Sequence, residues 1–414
     1  MVGPNGQNLV FLLSLPRSGS SLATAILQNH SRIFATQEMW FLLSLYDLRT
    51  APKRPYGGAS ILRQFYNGIV QDRTFEDACR HFALDVYNGL LRGSEADVVV
   101  DKSPRYYCIL EFLDLLFPRS KRIWLVRNPL AVLASYKQIR LKEKGRFDLS
   151  AILAGSEFDI QGADLTAGLF RYRHYFRAPH DCAHTLVYER LVDNPAEETR
   201  KLCEFIGLPY ETGIEVYGNY RDTAKAALYF SMGVGDPNVA RDTAPHRRSV
   251  DSWKTVLDKR EMELYCRAIG SRIFHELGYS EELAEAEAIA GTRFEAEPDA
   301  ELLALRTRQL TDAAGYRWQP EYRLHAAVAG DESRHFADGE GKPALSRDAE
   351  LERLRMTVSS LEHRQAAHYA ERKRLQAQLD ALRSKVNRIK AAVPFGNRLS
   401  QLVSAYILTG GKSK

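Results

Sequence analysis

Pro16-Arg17-Ser18-Gly19-Ser20-Ser21 gathers one cation, three hydroxyls and a glycine into six residues. The apolar run Leu9 to Leu13 feeds this loop, and a helical pattern with Leu22, Ala25, Ile26 and Asn29 follows it. Strand, loop and helix in that order bring successive backbone N–H groups and the positive end of a helix onto one point. The chemistry such a loop suits is the holding of a phosphate or a phosphate-like group. Arg17 adds a full charge, and Ser18, Ser20 and Ser21 add hydroxyls. The GxxxxGK[ST] pattern of a nucleotide-triphosphate loop is absent, and the loop's cation is an arginine. Asp101 is the nearest candidate for a strand-terminal magnesium ligand. ATP- or GTP-driven phosphoryl transfer is therefore not the first expectation.

A second element carries the same chemistry. In Arg122 to Ser135 a strand ends in Arg127, Pro129 opens a helix at its preferred first turn, and Ser135 lies two turns further on. Arg127 and Ser135 can clamp a second anion. Two anion sites imply a ligand with two separated phosphate-type groups.

These residues must be positioned by a larger frame. Leu9 to Leu13, Val98 to Val100, Arg122 to Val126 and His184 to Val187 read as buried parallel strands, because they show little alternation. Helical patterns separate them: Ser20 to Asn29, Phe75 to Leu91, Arg105 to Phe117, Leu130 to Arg140 and Ala196 to Ile206. The expected fold is α/β, a P-loop-like parallel sheet flanked by helices. In such sheets ligands sit beyond the C-terminal strand ends, and Arg17, Lys102 and Arg127 each follow a strand there. Glu211 to Val250 reads as a long loop over the site. Arg260 to Leu277 reads as a closing helix, stopped by Gly278.

The chain has 414 residues, 45% of them hydrophobic and 26% charged, which predicts one large globular domain plus an appendage. Net charge is +5, unevenly placed. Residues 347–414 hold 14 basic and 6 acidic residues, net +8, and the remainder holds 43 basic and 46 acidic, net −3. The basic character belongs to the tail, so nucleic acid is not an expected partner.

The expected organisation is a first domain over 1–280, a helical or irregular linker over 281–346, a coiled coil over 347–393 and a short basic amphipathic tail over 394–414. With Leu351 at position a, ten of thirteen a and d positions from Leu351 to Val393 are apolar. That pattern predicts a homo-oligomer, with Gln365, His368 and Arg372 breaking the seam. Leu399, Leu402, Val403, Tyr406 and Ile407 share one face of the final segment, which suits a peripheral membrane face or a protein partner.

Cys79, Cys108, Cys182, Cys203 and Cys266 show no metal spacing and read as reduced core thiols. With no room for a signal peptide before the first strand and no spanning apolar run, the expected location is cytoplasmic, possible also at the inner membrane face. No metal is expected.

Leu15-Pro16-Arg17-Ser18-Gly19-Ser20-Ser21 resembles the 5′-phosphosulfate loop of the sulfotransferases that use 3′-phosphoadenosine 5′-phosphosulfate (PAPS). Arg127 and Ser135, eight apart, resemble that superfamily's 3′-phosphate motif. Val187 to Pro195 is similar to its Tyr-Glu-x-Leu-Val-x-x-Pro segment, and Phe205 to Pro209 and Ser252-Trp253-Lys254 follow in the family's order. The likeness spans roughly residues 8 to 278 and leans toward the tyrosylprotein and bacterial glycan branch.

The resemblance implies PAPS as co-substrate, PAP as product, and a site in which Arg17, Ser18, Gly19, Ser20, Ser21, Arg127, Ser135, Tyr188, Arg247 and Arg248 hold the nucleotide. It implies Glu38, 21 residues beyond Arg17, as general base, with Lys102 and Arg17 as catalytic cations. Thr36-Gln37 stands where the tyrosylprotein type has Gly-Glu, and Asp101-Lys102 reverses its Lys-Asp. His246, His174 and His180 read as structural or surface groups. The implied function is sulfuryl transfer to a hydroxyl, on a carbohydrate by preference. A protein tyrosine acceptor, a P-loop kinase, and an inactive scaffold acting through its coiled coil are the alternatives.

Overall fold

The computed structural model describes residues 1–35, 37–50, 57–92, 94–155, 157–220, 243–316, 318, 319 and 321–324, and in the tail 365, 369, 372–388 and 391. The chain divides into two compact units, Met1–Arg63 with Asp72–Phe336, and Gln64–Gln71 with Ala337–Lys414.

The first unit is built on five parallel strands: β1 Leu9–Ser14, β2 Ile33–Ala35, β3 Val98–Lys102, β4 Lys121–Val126 and β5 Ala183–Val187. Their order is β2-β3-β1-β4-β5. All of β1 and β3 and nearly all of β4 are buried, as continuous apolar runs require when helices cover both faces. Of these five strands only β2 was not foreseen. Its three residues are too few to carry a period.

The register decides where chemistry can happen. Leu12 pairs with Lys102, Ser14 with Leu125, and Val126 with Val187. Strands β1, β4 and β5 therefore end within one residue of one another, β3 ends two residues below β1, and the residues that follow β1, β4 and β5 share one edge. The chain leaves β1 toward β3 on one side and reaches β4 on the other. That is the switch point at which open α/β sheets bind ligands.

Helices α1 Ser20–Asn29, α2 Phe41–Thr50, α3 Ala59–Gln64, α4 Asp72–Arg92, α5 Leu110–Leu116 and α6 Pro129–Lys144 connect these strands and flank them. The expected α6 pattern begins one residue late and stops four residues short. Asn128 caps the helix, its side chain accepting from the Leu130 N–H at 2.9 Å, and Gly145 ends it in the left-handed region. The expected helix Arg260–Leu277 is two helices, Lys259–Ile269 and Arg272–Leu277. Gly270 divides them at φ +72°, where a Cβ would meet the Ala296 carbonyl oxygen at 2.6 Å.

Residues 281–324, expected as the first part of a linker, pack back on the domain. Helices run over Ser280–Ala290 and Ala300–Ala314. The buried Arg306 guanidinium donates to the carbonyls of Leu153 (2.8 Å), Gly155 (3.2 Å) and Glu157 (3.2 Å). Trp318 donates from Nε1 to the Cys108 carbonyl at 2.9 Å. An arginine buried against carbonyls leaves no mark in an apolar pattern, which is why periodicity missed this packing.

In the second unit, residues 372–388 are helical and exposed throughout, with Leu375, Leu379, Leu382 and Val386 on their surface. Apart from residues 365, 369 and 391, the rest of the coiled coil expected over 347–393, and all of the tail expected over 394–414, lie outside the described residues.

Candidate active site

The anion loop follows β1. Arg17 adopts φ +70° and Gly19 φ +96°, so the backbone reverses sharply before α1. Ser18 is buried and its N–H closes the turn onto the Leu15 carbonyl at 3.3 Å. Gly19 is demanded on two grounds. Its φ disfavours side chains, and a Cβ there would lie 2.3 Å from Cδ2 of Tyr188. The Tyr188 ring therefore sits on the glycine and walls the loop. Ser20 and Ser21 form the first turn of α1, where amide N–H groups lack intrahelical acceptors.

Loop and second element are joined. Arg17 donates from Nε to the Ser135 hydroxyl at 3.1 Å. Arg127, directly after β4, donates from Nη1 to the Arg17 carbonyl at 2.8 Å and from Nη2 to the Ser249 carbonyl at 2.7 Å. Its guanidinium carbon stands 4.5 Å over the Tyr188 ring. The Arg127 Nε has no hydrogen-bond partner among the described residues. Burial lowers the affinity of Arg127 for its proton, yet an arginine remains charged. A buried cation with an unused donor is costly unless an anion satisfies it.

These groups line a cavity of about 770 Å³. Arg17, Gly19, Ser20, Ser21, Arg127, Ser135, Tyr188 and Glu38 all face it. Of the two arginines expected near its rim, Arg248 lines the cavity, whereas Arg247 pairs with Asp193 at 2.8 Å on the exposed surface. His246, expected to be structural or at the surface, lines the cavity too. Gln138, Ile139 and Lys142 of α6 were not foreseen there. They lie three, four and seven residues beyond Ser135, on the same helix face, and that spacing was the available signal.

Glu38 is held from two sides. Lys102, at the end of β3, donates from Nζ to Oε1 at 3.0 Å. Trp40 donates from Nε1 to Oε2 at 2.8 Å. Lys102 was expected beside the reacting bond. It is instead wholly buried beneath Glu38, absent from the cavity wall, and reaches the site through that carboxylate. Burial lowers the hold of Lys102 on its proton and the Arg17 charge acts the same way, while Glu38 opposes both. Thr36 lies outside the described residues.

Beneath this pair Asp101 is fully buried, accepting at Oδ2 from the hydroxyls of Tyr87 (2.7 Å) and Tyr106 (2.9 Å). Those two hydrogen bonds make it a structural acceptor within the fold. Burial pushes its carboxyl up to about 6, against the two tyrosine hydrogen bonds, a contact to Ser103 and the Lys102 charge. The folded chain therefore binds this proton more tightly than the unfolded chain between 3.8 and about 6. Stability from this group is present at low pH and is lost as pH rises through that window. Asp101→Asn can keep the one oxygen both tyrosines use. Denaturant unfolding should show the variant gaining on the wild type by up to about 3 kcal/mol from pH 4 to pH 7. A pH-independent difference would mean that Asp101 titrates as an ordinary carboxylate.

The arrangement is a cationic cradle for two anions with a carboxylate at its edge, suited to in-line displacement at an anionic centre. A family model described as the sulfotransferase family matches residues 9–212. The chain is 31% identical over 295 residues to the nodulation protein NoeE of Sinorhizobium fredii (strain NBRC 101917 / NGR234), covering 67% of each chain. It is 26% identical over 206 residues to protein-tyrosine sulfotransferase 1 of Danio rerio, covering 50% of this chain and 55% of that one. The sulfotransferase domain from the Synechococcus PCC 7002 olefin synthase superposes with a TM-score of 0.42 at 21% identity, over 67% of this chain and 94% of that one.

Proposed function

The chain belongs to the sulfotransferase family, and from that premise we propose that it moves a sulfuryl group from PAPS to a hydroxyl of a carbohydrate acceptor. The observation that carries the reading is Glu38, a carboxylate fixed at the edge of the cavity that Arg17 and Arg127 line.

The residues present fit such a nucleotide. The loop from Pro16 to Ser21 and the first turn of α1 suit the 5′ group. Ser135 and the unused Nε donor of Arg127 suit a 3′-phosphate. Tyr188 stands against both. When bound, the co-substrate supplies an electrophilic sulfur with a phosphate leaving group. The acceptor oxygen bonds to that sulfur as the bond from sulfur to the phosphate oxygen breaks. The acceptor's proton passes to Glu38, and PAP leaves. Arg17 neutralises charge on the leaving phosphate. Lys102 acts by fixing Glu38. Gln138, Lys142 and Glu143 offer donors and acceptors along the cavity, which suits a ligand with several hydroxyls.

The test is a transfer assay with radiolabelled PAPS over a panel of oligosaccharides, with a tyrosine peptide beside them. Label should move to an oligosaccharide. Transfer to the peptide alone would replace the carbohydrate reading by the tyrosylprotein one. Phosphate transfer from ATP with Mg²⁺, and none from PAPS, would remove sulfuryl transfer altogether. PAP binding without transfer to any acceptor would favour a scaffold.

The heptads of 347–393 support a second copy of this chain as partner. That association is independent of the chemistry proposed.

A further inference from the structure

We infer that Trp40 is a positioning residue for sulfuryl transfer, aiming the Glu38 carboxylate through its indole N–H. The inference rests on the reading of Glu38 as the base.

Three observations carry it. First, the indole Nε1 donates to Glu38 Oε2 at 2.8 Å, while Lys102 takes Oε1 at 3.0 Å. With one donor on each oxygen, the carboxylate plane cannot swing. Lys102 alone, with a single hydrogen bond to one oxygen, would leave Glu38 free to rotate about its χ3 angle. Second, Trp40 adopts φ +58°. The left-handed region is a genuine outlier for a bulky aromatic, held only where the surroundings overdetermine it. Third, those surroundings are visible. The Trp40 N–H donates to the Ser103 hydroxyl at 3.2 Å, and the Arg105 guanidinium carbon stands 5.9 Å from the ring centroid. Arg105 is itself fixed by a two-pronged pair with the buried Asp164, from Nε at 3.0 Å and Nη2 at 2.8 Å. Tyr107 and Tyr136 donate to the same carboxylate at 2.6 and 2.7 Å.

Ser103 and Arg105 follow directly on Lys102. β3 and the segment after it thus hold the base twice, through the lysine that ends the strand and through the tryptophan that the segment anchors. Tyr136 adjoins Ser135, so the Asp164 cluster also ties this anchor to the anion-binding helix. A strained tryptophan with its only polar atom spent on the base is what precise orientation of a proton acceptor needs.

Trp40→Phe keeps a ring for Arg105 and deletes the N–H. In the acceptor assay the variant should bind PAP as the wild type does and keep the acceptor KM within about twofold. It should lose about tenfold in kcat. In a Glu38→Gln background the same change should cost nothing further. Equal losses in both backgrounds would overturn the inference, because Trp40 would then act independently of Glu38.

A second measurement needs no acceptor. The chain has four tryptophans, so selective ¹⁵N labelling gives a readable set of indole N–H signals. The signal that disappears in Trp40→Phe should shift strongly in Glu38→Ala. If it does not move, the hydrogen bond is absent in solution and the inference fails, whatever becomes of the base. If it moves while Glu38→Gln retains full transfer, the reading of the base has failed and the hydrogen bond stands.

Discussion

Glu38→Gln should abolish most transfer while leaving the nucleotide in place. The amide keeps the shape of the side chain, and its oxygen can still accept from Lys102 or Trp40. It cannot take a proton from an acceptor hydroxyl. Positioned acid–base groups contribute about 10²- to 10⁴-fold, so kcat should fall by that range. PAP affinity should stay within about twofold, because the anion ligands lie in the loop between β1 and α1, directly after β4, on α6 and in residues 244–252. The substitution also frees one Lys102 or Trp40 hydrogen from its carboxylate, so some loss of stability accompanies it. Isothermal titration with PAP separates the two effects. Unchanged turnover would remove Glu38 from the mechanism.

Arg17 supports a prediction with an unusual sign. Its φ of +70° is unfavourable for a residue with a Cβ. Its side chain nevertheless lines the cavity and bonds Ser135 at 3.1 Å. Arg17→Ala keeps the strain and loses the charge. Arg17→Gly loses both. Each should weaken PAP binding by about 10- to 100-fold, the worth of one charge-assisted contact. The glycine variant should be more stable than the alanine variant by about 1 kcal/mol. Thermal unfolding checks the stability order and titration checks the affinity. Equal PAP affinity in wild type and both variants would place the ligand elsewhere. The left-handed turn is thus a cost the fold carries to aim a guanidinium.

Much of this site was legible before any coordinates. Pro16 to Ser21 announces itself through residue type, because glycine, serines and a cation between a strand and a helix have few other uses. Arg127 and Pro129 do the same at the end of β4. Buried parallel strands read as largely apolar runs, so β1, β3 and β4 were plain; β5 was expected to be buried too, but at the edge of the sheet only its Leu186 is. What stayed hidden has specific causes. The β2 strand is three residues long. Arg306 is buried for its carbonyl partners rather than for hydrophobicity. Trp40 lies two residues beyond Glu38, but a lone tryptophan carries no directional signal in sequence. Its role depends on a left-handed backbone angle that composition does not encode.

The division follows from the range of the forces involved. Local rules of backbone and helix ends operate within a few residues, so the sequence by itself determined an anion loop, a second anion element and a parallel α/β frame. Which groups then meet is set by strand register and by packing between segments far apart in the chain. Leu12 opposite Lys102 ends β3 two residues below the end of β1, under the loop. That register seats Lys102 beneath Glu38 rather than in the cavity, while packing between distant segments turns Arg248 but not Arg247 into the cavity wall and lets Tyr188 close on Gly19. Contacts across 64 residues, as between Glu38 and Lys102, have no local signature, and the tertiary structure alone decides them.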